Sequence, residues 1–89
     1  MDINEIIEYV GEENPSATMF QDPDFYDAII GYTFNENDMP VLVYDYNRMI
    51  ESLMLDCNDT TDAIEWIEYN TLRTLPYMPR DGRPVIVYN

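Results

Sequence analysis

The chain predicts a small α+β domain in which a mostly antiparallel three-stranded sheet carries helices packed on one face. Three observations lead there. Apolar residues in the N-terminal segment and again after Tyr46 recur at i, i+3, i+4 and i+7, the period of a helix with one buried side. Two runs rich in β-branched and aromatic residues flank Asn35-Glu36-Asn37-Asp38, the pattern of a hairpin. A last apolar run follows a turn rich in Pro and Gly. The order along the chain is therefore α-β-β-α-α-β, and the two helices between the second and third strands return the chain to the sheet. Residues 1–89 are expected to form one domain, with an N-terminal helix over 1–11, a loop over 12–24 and the α+β core over 25–89.

Ile3, Ile6, Ile7 and Val10 set the first helix, Asp2, Glu5, Glu8 and Glu12 take its other faces, and Gly11 is the expected stop. Asn14, Pro15, Ser16 and Pro23 punctuate a segment without period, read as a loop that carries Met19 and Phe20 to the core. Phe25 to Phe34 reads as a strand centred on Ala28-Ile29-Ile30-Gly31-Tyr32, and Pro40 to Tyr46 as a second centred on Val41-Leu42-Val43-Tyr44. Tyr46, Met49, Ile50, Leu53, Met54 and Cys57 then recur at helical spacing, with Asp45 or Asn47 as the cap and the methionines as core filler. After Asn58 comes a further helix, capped by Asp59 or Thr60, with Ala63, Ile64, Ile67 and Thr71 as its buried stripe and Asn70 as a buried hydrogen-bonding residue. Pro76 should end it through the restriction proline places on Leu75. A turn at Pro79-Arg80-Asp81-Gly82 leads to the strand Pro84 to Tyr88, which belongs at a sheet edge because Pro84 has no backbone donor.

Eighteen Asp and Glu residues stand against four Arg, with no Lys and no His, for a net charge of −14. A surface without lysine is almost continuously anionic and attracts cationic partners. Seventeen of those acids precede Arg73, accompanied only by Arg48. Gripping phosphates requires a basic patch, so direct binding of nucleic acid is not expected. The positive channel of a protein that handles nucleic acid is, in contrast, a surface such a chain would fit. Apolar residues at 46% and eight tyrosines exclude a disordered acidic tail. Cys57 stands alone, which excludes an internal disulfide and fits a reducing cytoplasm. No apolar run reaches membrane length, and Met1-Asp2-Ile3-Asn4-Glu5 lacks the positive start of a signal peptide, so a cytoplasmic protein with no membrane partner is expected.

Catalytic residues are not expected, and the chain does not read as an enzyme. Histidine is absent, Cys57 falls on an apolar stripe, and Ser16 and Ser52 lie in no nucleophile motif. Asp56, Asn58, Thr60 and Asp62 alternate like the ligands of a calcium loop. Thr61, however, stands where the tight turn needs Gly, and Ile67 where the final Glu belongs, so a helix cap is the favoured reading and no metal or cofactor is expected.

The surface with most promise is on the helix after Asn58. Asp62, Trp66, Tyr69 and Arg73 form one stripe at helical spacing, with Glu65 and Glu68 further round toward solvent. Aromatic anchors rimmed by carboxylates suit docking against Arg and Lys. Glu5 and Glu8 on the first helix are a second expected contact pair. In the competing reading Trp66 is the largest core residue and the acids are a solvated face. Tyr9, Tyr26, Tyr32, Tyr44, Tyr46 and Tyr88 gather near strand ends, where they edge the core or admit a homodimer through the sheet edge.

The run Ala63-Ile64-Glu65-Trp66-Ile67-Glu68-Tyr69-Asn70-Thr71-Leu72-Arg73, then Leu75-Pro76-Tyr77, with the upstream Val43-Tyr44-Asp45-Tyr46, resembles a family of small uncharacterised proteins of phages and bacterial mobile elements. The likeness covers residues 25–89 and implies a setting, with no functional residue carried over. In that setting small acidic proteins antagonise host defence or nucleic-acid enzymes, and this chain is similar in size and charge to anti-CRISPR proteins and DNA mimics. The expected function is thus binding and inhibition of a cationic, nucleic-acid-handling protein in the bacterial host cytoplasm, with surface carboxylates standing in for phosphates. The alternatives are a self-associating structural or accessory protein and an antitoxin-like neutraliser of a basic partner.

Overall fold

In the computed structural model, which describes residues 2–20, 25–54 and 59–88, Asp2 opens the first helix by accepting the amide of Glu5 on its carboxylate at 2.9 Å. That helix, α1, spans Ile3–Glu13 and runs past Gly11. Gly11 keeps a negative φ and so cannot provide the left-handed stop a C-terminal glycine usually supplies. The end is set instead by Asn14, whose amide bonds to the Val10 carbonyl at 2.8 Å while its side chain is buried.

The strand expected from Phe25 begins later. Phe25 is left-handed, with φ of 50°, and a 3-10 turn over Tyr26–Ala28 follows, closed by the Ala28 amide on the Phe25 carbonyl at 2.9 Å. The turn buries both Phe25 and Ala28, and the Phe25 ring meets Phe20 edge-on with centroids 6.2 Å apart. Burial of the two side chains thus prevails over the strand propensity of the segment. Strand β1 is Ile29–Phe34 and strand β2 is Pro40–Asp45. They pair antiparallel with Tyr32 opposite Leu42 and Phe34 opposite Pro40, and a register shift between Ile29 and Gly31 marks a bulge. Asn35 holds the connecting loop by accepting the amides of Asn37 and Met39 on its side-chain oxygen.

Helix α2, Tyr46–Met54, follows β2 directly. Asp45 is its cap and accepts the Arg48 amide at 3.2 Å. Met49 and Leu53, four apart, are buried; Met54 lies a further 100° round the helix and is exposed, so it is not core. The expected continuation to Cys57, and the burial of that cysteine, fall outside the described residues. Helix α3, Thr60–Trp66, is capped by Asp59, whose carboxylate accepts the Asp62 amide at 2.9 Å. A π-helical turn, Ile67–Thr71, and a 3-10 segment, Leu72–Tyr77, prolong it. Pro76 therefore does not stop the helix at Leu75. The chain leaves the helical conformation at Met78, which is extended and bonds its amide to the Leu75 carbonyl at 3.1 Å.

Strand β3, Val85–Val87, pairs parallel with β2, Val43 opposite Val85 and Asp45 opposite Val87, which makes the sheet mixed and its order β1-β2-β3. The antiparallel pair comes from a hairpin. The parallel pair needs a crossover, which α2, α3 and the segment to Tyr77 supply. One cluster joins Ile6 and Val10 of α1, Phe20, Phe25, Ala28 and Ile29, Leu42 and Tyr44 of β2, Met49 and Leu53 of α2, Ala63 of α3, and Ile67. All three helices thus contribute to a core that Leu42 and Tyr44 share. Tyr44 is wholly buried rather than at the edge of the core, and its hydroxyl accepts the Phe20 amide at 3.3 Å. Fully burying a side chain of this kind stabilises by roughly 1.5–3 kcal/mol, provided the polar tip is paired as it is here.

Candidate functional site

The expected contact stripe starts at the Asp59 cap and runs through α3 into the π-helical turn. Ala63, Ile67 and Thr71 turn inward and are buried, which leaves Asp62, Glu65, Glu68, Tyr69 and Arg73 exposed. Trp66 divides from that group. It is half-buried and packs against the core cluster, so the indole supports the helix from below and is not a fully open anchor. Tyr69 is the exposed aromatic, with 68% of its surface accessible. The Arg73 guanidinium carbon stands 5.7 Å from the centre of its ring, within reach of a cation–π contact. Asn70, expected to be buried, is exposed and spends its side-chain amide on the Trp66 carbonyl at 3.1 Å, four residues back in the same helical run.

Glu68 ties this face to the end of the sheet. Tyr46, at the junction of β2 and α2, stacks its ring on Tyr88, just past β3, with centroids 4.7 Å apart. The Tyr46 hydroxyl is pushed above the usual tyrosine range, first by burial, then by the Glu68 carboxylate, then by Tyr88. Tyr46, Glu68 and Tyr88 come from three separate elements, and no local period in the sequence relates them. The Glu68 carboxylate, close enough to act on the Tyr46 hydroxyl, also lines a shallow pocket with Tyr69 and Arg73.

Glu5 and Glu8 are exposed as expected, but on α1, which packs on β1 and β2, whereas α3 packs on α2. The two acid pairs thus stand on segments with different principal supports, Glu5 and Glu8 on α1, Glu65 on α3 and Glu68 on the π-helical turn that prolongs it. Among the described residues, the side chains of Glu5, Glu8, Asp62 and Glu65 make no hydrogen bond or ion pair. Every described Asp and Glu except the helix cap Asp45 is exposed. The cations are engaged internally to a greater degree. Arg73 lies over Tyr69, and an Arg83 amino group sits 3.5 Å from the carbonyls of Pro76 and Met78.

Of the calcium-like set, Thr60 and Asp62 fall in the first turn of α3, where the Asp59 carboxylate is the cap and takes the Asp62 main-chain amide; Asp56 and Asn58 lie outside the described residues. No group of three or more potential metal ligands occurs among the described residues. No helix among them is long and apolar enough to cross a membrane. Ser52, which lies in no nucleophile motif, bonds its hydroxyl to the Arg48 carbonyl at 3.0 Å within α2. Comparison with protein-family models, curated proteins and solved structures finds no match.

Proposed function

We propose that this protein is a non-catalytic binder that docks on a cationic protein surface of the kind that grips nucleic acid, and inhibits its host by occupying that surface. The observation that carries the reading is the asymmetry of the charges. Exposed carboxylates on α1 and α3 have no intramolecular partner among the described residues, while Arg73 and Arg83 are engaged within the chain. Carboxylates left free in this way keep their full field for an incoming partner. Glu68 lines one shallow pocket with the exposed Tyr69, and Glu65 is exposed one turn earlier, so a basic side chain arriving there meets carboxylates and an aromatic side chain together. A bacterial cell carrying a phage or mobile element is the setting in which such an inhibitor of a nucleic-acid-handling host protein would act.

The mechanism is steric and electrostatic. Long-range attraction speeds encounter, and the bound acids then hold the groups that phosphates would contact. The test is capture of the partner from bacterial lysate, followed by competition between this protein and the partner's nucleic acid. Fast association that weakens with salt, slowed by Glu65→Gln with Glu68→Gln and exclusive of nucleic acid, is the expected result. Salt-insensitive binding that leaves nucleic acid in place would sink the reading.

A further inference from the structure

The outer side of β1 is an unpaired sheet edge with no charge in it. Pro40 has no backbone donor and stands opposite Phe34, which makes this a non-hydrogen-bonded pair. The alternation of an antiparallel ladder then places Thr33 and Val41 in a bonded pair and returns Tyr32 and Leu42 to the non-bonded kind. The Asn35 amide, bonded to the Met39 carbonyl at 2.9 Å, fixes the same phase. The main-chain N–H and C=O groups of Tyr32 and Phe34 thus point away from β2, and among the described residues no strand takes them.

Side chains on this edge are apolar and open: Ile30, Tyr32 and Phe34 are all exposed, Phe34 by 54%. Lys, Pro or an inward charge commonly blunts such an edge, and Ile29 to Phe34 contains none; only the bulge near Ile30 interrupts it. Carboxylates surround the strip. Asp27 precedes β1, Glu36 and Asp38 follow it, and all three are exposed. Alongside runs α1, whose Tyr9 ring lies 4.8 Å from that of Tyr32 and which bears exposed Glu8, Glu12 and Glu13. At the start of β1, Arg48 lines a shallow cavity with Asp2, Tyr26 and Ile30, apart from Tyr32 and Phe34. Two copies paired antiparallel through β1 would set Asp27 of one against the acidic 35–38 loop of the other, so a second copy is a poor occupant. A strand carrying positive charge is a good one.

We propose that the outer edge of β1 accepts an extended segment of the basic partner as a fourth strand, main chain to main chain at Tyr32 and Phe34. Alternate apolar side chains of that segment lie on the Tyr32 and Phe34 rings, and its Arg or Lys side chains reach the carboxylates of α1 and the hairpin loop. This deepens the reading above and rests on it for the basic character of the partner.

The probe is a synthetic peptide of alternating Val and Arg, compared with the same peptide N-methylated at the amides that would face β1. N-methylation removes the donors and leaves the charge. The unmodified peptide should bind and slow hydrogen exchange at the Tyr32 and Phe34 amides, and the methylated one should bind at least ~10-fold more weakly. Phe34→Pro, which removes an outward donor and leaves the β1–β2 bonds intact, should produce the same loss, while the exchange measurement on the unaltered protein does not depend on that variant folding. Equal binding of the two peptides, with no protection at Tyr32 and Phe34, overturns the fourth strand and leaves attraction between charges intact. Failure of both peptides to bind also overturns it, whatever the lysate capture returns. Concentration-dependent protection of these amides without peptide would assign the edge to a second copy, and equal binding of a Val and Glu peptide would remove the basic specification; either result overturns the proposal.

Discussion

The side-chain amide of Asn14 donates to the main-chain carbonyl of Asp81 at 2.7 Å, and its second donor reaches the carbonyl of Pro40 at 3.0 Å. One carboxamide, 1% exposed, therefore joins the end of α1, the start of β2 and the turn before β3. Asp81 also accepts the side-chain amide of Asn35 on that carbonyl, at 2.8 Å, so the turn is held from the helix and the hairpin together. These bonds position β3 without relying on its own three residues.

Asn14→Ala should cost about 3 kcal/mol, because it takes the donor from the buried Pro40 carbonyl, leaves the Asp81 carbonyl to Asn35 alone and removes the acceptor of the Ser16 amide. Asn14→Asp should cost more at neutral pH, since a carboxylate there faces two carbonyl oxygens and offers no proton. Burial and those oxygens raise the folded-state pKa of the new carboxyl above its unfolded value. The unfolded chain then binds fewer protons, so stability falls as pH rises through the interval between the two values and is recovered on acidification. Urea unfolding at neutral and mildly acidic pH checks the sign, against the unsubstituted protein under both conditions.

Gly82 should tolerate no side chain. A Cβ there would lie 1.6 Å from the Ser16 carbonyl oxygen and 2.3 Å from its carbon, both backbone, where the Gly82 carbonyl accepts the Thr18 amide at 2.9 Å. Gly82→Ala is expected to lose about 3 kcal/mol or to displace the 79–82 turn. Gly11→Ala is the contrast, since nothing lies within 4 Å of its added methyl and the site is helical; it should stabilise by roughly 0.5–1 kcal/mol. Thermal melts of the two variants should move in opposite directions.

Tyr46 should titrate later than an exposed tyrosine, and Glu68→Gln should bring it part of the way back, because burial is the first cause of the shift and the Glu68 carboxylate the second. A raised pKa means that the folded state holds the phenol proton after the unfolded chain releases it. The associated stability is complete below the unfolded tyrosine value and declines as pH rises through the folded one. Ultraviolet titration of phenolate, comparing Tyr46→Phe and Glu68→Gln with the parent, measures it. A Tyr46 titration unmoved by Glu68→Gln would separate the two groups.

Asp59→Ala should cost about 1 kcal/mol through loss of the α3 cap, and Asp59→Asn much less. Because Thr61 and Ile67 stand where a calcium loop needs Gly and Glu, calcium should leave the melting temperature unchanged. A rise of many degrees with calcium would restore a ligand role to this loop.

Moderate salt should stabilise the isolated protein, since a net charge of −14 repels itself and the exposed acids of α1 and α3 contribute to that repulsion. Screening shortens the interaction to about 8 Å at physiological ionic strength. Melting temperature measured across a sodium chloride series should rise from low to moderate salt. A flat or falling series would remove self-repulsion as a significant factor.

Local pattern was enough for much of this fold. The helical stripes of α1, α2 and α3, the caps Asp45 and Asp59, the hairpin at Asn35 and the order of elements each depend on residues a few positions apart, and periodicity and capping chemistry record such relations directly. The exposure of Asp62, Glu65, Glu68 and Tyr69 was legible for the same reason. What tertiary structure decided lies in relations across long stretches of chain. Packing curled Phe25 into a left-handed turn, drew Tyr44 into the core, settled Trp66 against it, and ran β3 parallel to β2. It also brought Tyr46 against Tyr88 and within the field of Glu68, and Asn14 to the Asp81 carbonyl. A buried carboxamide or a strand direction is selected by the one arrangement that satisfies every donor and fills the core at once, and no window of neighbouring residues contains that condition.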